Sequence, residues 1–275
     1  MLIGNQDIKD FFRIDQAPDF LAGSYIFLGD SQIGKFSFAK ELAESFEPNN
    51  NSVLSDALII KPDSQIGIDQ VRQIKNFLWQ TPSNSSYRTA IVDNAEQMTP
   101  EAQNAFLKIV EEPPRKALII LISSYPEILA PTLLSRFKKI HFKKIPQEHI
   151  RQWLINEFKV KLSAAETLAK KSMGRPGLAY SLLYDKNTIE LENRVESFIN
   201  GDIFQKNKII SEIIKDEESL NKFIEFLIVE LRNKILKKDH KTFKEILKRL
   251  AYLKRFNLNK KLQLEIIANQ INLNG

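Results

Sequence analysis

The sequence contains no cysteine, which excludes disulfides and any zinc site built on thiolates. A hydrophobic run of membrane length is missing too. The aliphatic stretch near the middle, Ala117–Ile122, falls far short of the roughly 20 residues that a spanning helix needs. No basic-then-apolar signal pattern opens the chain. Together these absences lead to the expectation of a soluble, cytoplasmic protein. With 275 residues, 43% hydrophobic and 27% charged, the chain can bury one large core or about two to three smaller ones.

Acidic residues are scarce in one region. Gly201–Gly275 carries 16 Lys and Arg against 10 Asp and Glu, which accounts for the whole formal charge of +6. Within Arg232–Lys261 the count is 12 against 2, a local charge of +10. Such a block is either a nucleic-acid footprint or the solvated face of amphipathic helices. The second reading is the more economical.

What is present begins at Gly29–Phe36, which reads GDSQIGKF. It follows the apolar run Tyr25–Leu28 and precedes a helical pattern of Phe38, Leu42, Ala43 and Phe46. This is the strand–loop–helix setting of the phosphate loop G-x-x-x-x-G-K-[ST]. There, Gly29 and Gly34 let backbone N–H groups approach phosphate oxygens, and Lys35 reaches the terminal phosphates. The last position lacks its hydroxyl, because residue 36 is phenylalanine. Ser37 is one residue late and, on a helix, points about 100° away.

A phosphate-loop enzyme also needs an apolar strand ending in an acid that holds Mg²⁺. Ala90-Ile91-Val92-Asp93 fits that description. The position after the acid, where a carboxylate would polarise water, is Asn94, which cannot accept a proton as glutamate can. Phe36 and Asn94 together argue that hydrolysis is weak or absent.

Short apolar runs alternate with helical patterns through about His141. Tyr25–Leu28, Ala57–Ile60, Thr89–Val92 and Ala117–Ile122 read as strands of a parallel, doubly wound sheet. Asp69 is expected to cap a helix carrying Val71, Ile74, Phe77 and Leu78 on one face. Thr99-Pro100-Glu101 is expected to start another. Glu47–Asp56, with Asn49–Asn51, reads as a loop. Beyond Pro146 the patterns are helical. Gln147–Phe158 is one helix, and Ser163–Glu166 a capping box for a second that Gly174 closes. Leu178–Leu183 is a third. The division is an α/β domain over 1–144, a small helical domain over 145–186 and a helical C-terminal domain over 187–275.

Ser135-Arg136-Phe137 follows a Pro126…Pro131 loop. On spacing alone Arg136 is either a solvated surface charge or a finger for a neighbouring subunit's nucleotide.

The order of Gly29–Lys35, Ile91–Met98, Thr99–Pro114 (TPEAQNAFLKIVEEPP) and Leu129–Phe137 (LAPTLLSRF) resembles the AAA+ subunits of bacterial DNA polymerase III clamp loaders. Ile3-Gly4-Asn5 and Ile68–Arg72 (IDQVR) also fit. The likeness is strong over roughly the first 180 residues and general beyond them. Phe36, Asn94 and Gly174-Arg175-Pro176-Gly177 make the chain most similar to the delta-prime subunit. Active relatives place a sensing arginine at a helix start near Arg175, where Pro176-Gly177 argues against a helical presentation.

The resemblance implies an AAA+ phosphate-loop domain, a small helical lid and an all-α collar. It implies a non-polymerising, hydrolysis-silent component of the polymerase III holoenzyme. Its partners would be gamma/tau and delta subunits in a hetero-pentamer, with the sliding clamp and primed DNA met through the complex and no membrane. Arg136 would act in trans on a neighbour's ATP, with Phe137 replacing the usual cysteine. Gly29, Gly34, Lys35 and Asp93 would be a vestigial nucleotide site. No cofactor or metal is expected to be required, although residual ATP or ADP binding stays open. The four-cysteine module of many relatives is missing, so zinc is not expected. The alternatives are an active gamma/tau-like ATPase and an unrelated phosphate-loop kinase or nucleotide-binding protein.

Overall fold

Strand β1 (Gly23–Leu28) and strand β4 (Ala117–Ser123) lie side by side at the centre of a parallel sheet, with nearly every side chain buried. The computed structural model describes residues 3–12, 21–47, 54–62, 64–234, 240–255 and 259–272. Asn49–Asn51 lie outside these residues. Strands β2 (Ala57–Ile60), β3 (Arg88–Val92) and β5 (Lys138–His141) complete the order β2-β3-β4-β1-β5, with every pairing parallel.

The strand pleat divides the core into two layers. Ile26, Ala90, Val92, Ile119 and Leu121 face one layer, covered by α3 (Ile68–Leu78), α4 (Pro100–Glu111) and α5 (Pro131–Leu134). Tyr25, Phe27, Ile91, Leu118, Ile120 and Ile122 face the other, beneath α1 (Gln6–Phe12) and α2 (Lys35–Ser45). Phe12, Phe27, Phe38 and Phe142 interlock there, with ring centroids 5.3–5.8 Å apart in tilted or edge-on pairs, the geometry that aromatic quadrupoles favour.

Local chemistry explains most helix starts. Thr99 accepts the Ala102 N–H at 3.2 Å, with Pro100 next to it, as the sequence indicates. Two expected caps differ. Helix α3 begins at Ile68, so Asp69 lies inside its first turn; Gly67 is the cap, and Gln70 Oε1 accepts the Gly67 N–H at 3.0 Å. Helix α7 (Leu162–Lys171) begins one residue before the expected box, and Lys161 caps it without a side-chain bond. The expected helix α6 (Gln147–Phe158) is present with those bounds.

The chain forms two compact units, Met1–Leu178 and Ala179–Gly275. Helix α8 (Pro176–Tyr184) is followed by α9 (Lys186–Asn200), α10 (Ile203–Ile213), α11 (Glu217–Lys234), α12 (His240–Arg255) and α13 (Lys260–Asn272). Leu191, Val195, Phe198, Ile210, Phe223 and Leu227 are among the buried residues of this second unit. Of the basic segment Arg232–Lys261, residues 235–239 and 256–258 lie outside those described. Within α12, Phe243, Ile246, Leu250 and Leu253 are buried at helical spacing, while Lys241, Lys244 and Lys248 are exposed. Among the described residues no helix is long and apolar enough to cross a membrane.

Candidate functional site

The loop after β1 emerges at the carboxyl edge of the sheet, where β1 and β4 send their connections to opposite sides. In parallel sheets that switch point is where ligands bind. Gly29 has φ 141° and a Cβ there would lie 2.7 Å from the Phe142 carbonyl oxygen, so a side chain is excluded. Gly34, at φ 105°, then delivers the chain into α2.

Lys35 is 5% exposed. Its ammonium donates to Gly29 O at 2.5 Å, Asp30 O at 2.7 Å and Ser124 Oγ at 3.1 Å, joining the loop to the end of β4. Burial pushes its pKa down from 10.5 to about 8, although Glu96, Asp93 and Asp30 all favour the charged form. Asp93 follows β3. Burial raises its pKa above 3.8, while the Asn94 N–H and the charges of Lys61 and Lys35 pull the other way. Asn94 is exposed and left-handed, φ 49°, a conformation that asparagine tolerates better than glutamate.

Phe36 is half-buried against the core beneath α2. The Lys61 ammonium lies over its ring, 3.7 Å from the centroid. Lys61 directly follows β2, and the register Ile60↔Val92 sets it level with Asp93 on the adjacent strand. The place of the Mg²⁺-binding hydroxyl is thus an aromatic face carrying a cation. The side chains of Phe36 and Lys61 supply none of the oxygen donors that a hard divalent cation requires.

Three participants escape the sequence motif. Lys61 falls just past the apolar run Ala57–Ile60 and belongs to none of the motifs. Ser124 is hidden at the end of an aliphatic strand. Glu96 lies three residues past Asp93 on a single 3₁₀ turn, Ala95–Gln97; its Oε1 accepts the Ser124 N–H at 3.2 Å, and its Oε2 is buried without a hydrogen bond. An acid at that spacing on a turn was the one available signal.

Arg175 departs from expectation. It immediately precedes α8, and Pro176 is the helix's first residue, where a missing N–H breaks no intrahelical bond. The Leu178 N–H donates to Arg175 O at 3.0 Å, and Gly177 N–H to Gln32 O in the phosphate loop at 2.9 Å. Arg175 is therefore presented at a helix start, and is buried.

Arg136 sits apart from this cluster in sequence and partners. It follows α5, with its side chain 36% exposed, and its Nη2 reaches Glu111 Oε1 at 2.6 Å. Nη1 donates to Thr132 O at 2.7 Å. Phe137 turns inward, 5% exposed, against Phe106 at 6.3 Å.

Residues 4–146 match the family described as DNA polymerase III, delta subunit. The chain belongs to that family. It is 31% identical over 144 residues to DNA polymerase III subunit tau of Bacillus subtilis, covering 46% of this chain and 26% of the relative. It is 30% identical over 156 residues to subunit delta' of the same organism, covering 50% of this chain and 47% of the relative. The matches thus span about a quarter to a half of these relatives' lengths. Among solved structures, a DNA polymerase III gamma subunit-related protein from Thermotoga maritima superposes with a TM-score of 0.62 at 23% identity, over 97% of this chain and 99% of that one. The family member thus has the AAA+ type of α/β phosphate-loop fold.

Proposed function

We propose that this chain is the delta-prime-like subunit of a clamp loader, a fixed component that turns over no nucleotide and completes a neighbour's ATP site with Arg136. Gamma/tau and delta subunits are its partners in a five-membered ring, working in the cytoplasm on a sliding clamp and primed DNA. The division into sheet domain, lid and collar over 1–144, 145–186 and 187–275 belongs to this reading.

The observation that carries it is the Phe36–Lys61 pair. Phosphoryl transfer in phosphate-loop enzymes depends on a metal that bridges the terminal phosphates. Here the hydroxyl is replaced by a ring, and a lysine lies on that ring. Gly29, Gly34, Lys35 and Asp93 keep the frame of a nucleotide site without this part. Arg136 supports the second half of the reading: it is partly exposed, chemically suited to a phosphate, and fixed from behind by buried Phe137.

Mechanistically, the chain's share of the work is positional. The guanidinium would stabilise charge developing on the neighbour's phosphoryl group, an effect worth about 10³-fold or more at such a site.

One observation favours an active, gamma/tau-like ATPase instead: Glu96 places a carboxylate close enough to Lys35 to favour its charge. Purified chain, alone and mixed with gamma/tau and delta subunits, separates the readings. ATP turnover by the chain alone that Lys35→Ala abolishes would select the active ATPase. Turnover only in the complex, lowered by Arg136→Ala with assembly intact, is the outcome expected here.

A further inference from the structure

We propose that Lys61 is a resident cation that takes over the electrostatic task of a divalent metal at this site, set beside Asp93 by the β2–β3 register and, with Phe36, closing the position to Mg²⁺. In a phosphate loop, two positions look toward the metal: the eighth residue of the loop and the acid at the end of the neighbouring strand. Here Phe36 presents its ring to the Lys61 ammonium, and Asp93 leaves the neighbouring strand level with Lys61. Its Nζ is 3.7 Å from the Phe36 centroid.

The juxtaposition follows from topology. Strands β2 and β3 are parallel neighbours, in register at Ile60 and Val92, and the Asp93 N–H donates to Ile60 O at 2.9 Å. The residues that follow the two strands therefore leave the sheet together. An ammonium over an aromatic face is attracted by the ring quadrupole, so Phe36 both removes a metal ligand and holds the replacement. Lys35 is engaged with Gly29 O, Asp30 O and Ser124 Oγ. Lys61 thus adds a second ammonium beside the loop, and its charge repels an entering divalent cation.

The inference deepens the reading of a non-hydrolysing subunit and rests on it for its meaning. It is measured on the full chain alone, so its failure leaves the Arg136 experiment untouched. The test is thermal unfolding with ADP present, comparing Mg²⁺ with chelator. Wild type and F36S, which restores the hydroxyl but keeps the ammonium, are expected to show the same midpoint in both. F36S/K61M is expected to gain about 2–4 °C with Mg²⁺. A Mg²⁺-dependent gain in wild type, an equal gain in F36S, or none in a folded F36S/K61M overturns the proposal. Should that double variant not fold, denaturant unfolding of K61M, D93N and K61M/D93N decides. Lys61→Met is expected to lower the folding equilibrium about fivefold with Asp93 present and much less with Asn at 93. Equal losses in both backgrounds overturn it.

Discussion

Arg136 and Glu111 grip one another across the surface of the first unit, Nη2 to Oε1 at 2.6 Å, while Thr132 O takes a second guanidinium hydrogen. The arginine proposed to serve a neighbour is thus already engaged at home. Both side chains are more than a third exposed, and such pairs contribute about 0–1 kcal/mol. A triphosphate can take the guanidinium from Glu111 at little cost. In a reconstituted loader, Arg136→Ala should lower DNA-dependent ATP turnover without preventing assembly. Glu111→Gln leaves the guanidinium charged and loosens its tether, so turnover should stay at or above that of wild type. A loss with Glu111→Gln as deep as that with Arg136→Ala would instead make the pair a structural unit.

Lys35 should impose a pH signature on stability. Its folded pKa, about 8, lies below its ordinary 10.5. Between these values the unfolded chain holds more protons than the folded one, so folding gains stability as pH rises through the window. Below about pH 8 both forms are charged and the penalty of burying the ammonium is fully present. Lys35→Met should lack this rise. The wild-type stability should therefore improve relative to the variant by about 1–3 kcal/mol between pH 8 and 10, measured by denaturant unfolding.

Asp56 and Arg88 form a buried pair, at 2.9 Å. The Asp56 carboxylate also accepts the N–H groups of Ser83, Asn84 and Ser85. Burial opposes its ionisation, but those three donors and Arg88 outweigh it and hold the pKa below 3.8. Its contribution is present above that value and is lost as pH falls through the lower, folded pKa. Arg88→Met should destabilise by about 3–5 kcal/mol, and Asp56→Ala by at least as much, since it also strands three donors. Unfolding midpoints check both.

Gly177, in the first unit, bonds the phosphate loop through Gln32 O. A Cβ there would lie 2.7 Å from Gln32 O and 3.1 Å from Gln32 Cβ. Gly177→Ala should therefore displace either the loop or the helix start, at a cost of about 1–3 kcal/mol. Chemical-shift changes at Gln32 and Lys35, in a variant that is otherwise folded, would report the displacement.

The central strands, the loop and the Thr99 cap were legible in the sequence because each has a local signal: aliphatic runs, spaced glycines, a hydroxyl before proline. Strand β5 was not individually legible, since three of its four side chains are exposed and two are lysines. Asn94 was read as a lost base; its left-handed backbone adds a conformational reason for asparagine that no residue pattern carries. Pro176 was read as an obstacle to a helix that it in fact opens. Lys61 was invisible as a site residue because its partners come from two other elements, and only the β2–β3 register brings them together.

The three hydrogen bonds of Lys35 have a last consequence. Entry of a phosphate into this loop would be an exchange reaction: incoming oxygens would have to replace two backbone carbonyls and a serine hydroxyl around an ammonium that they already satisfy. Affinity here is a difference between two solvation shells, one of them built into the chain. Selection on such a loop acts on the home shell as much as on the visitor, and each tightening of the first weakens the second.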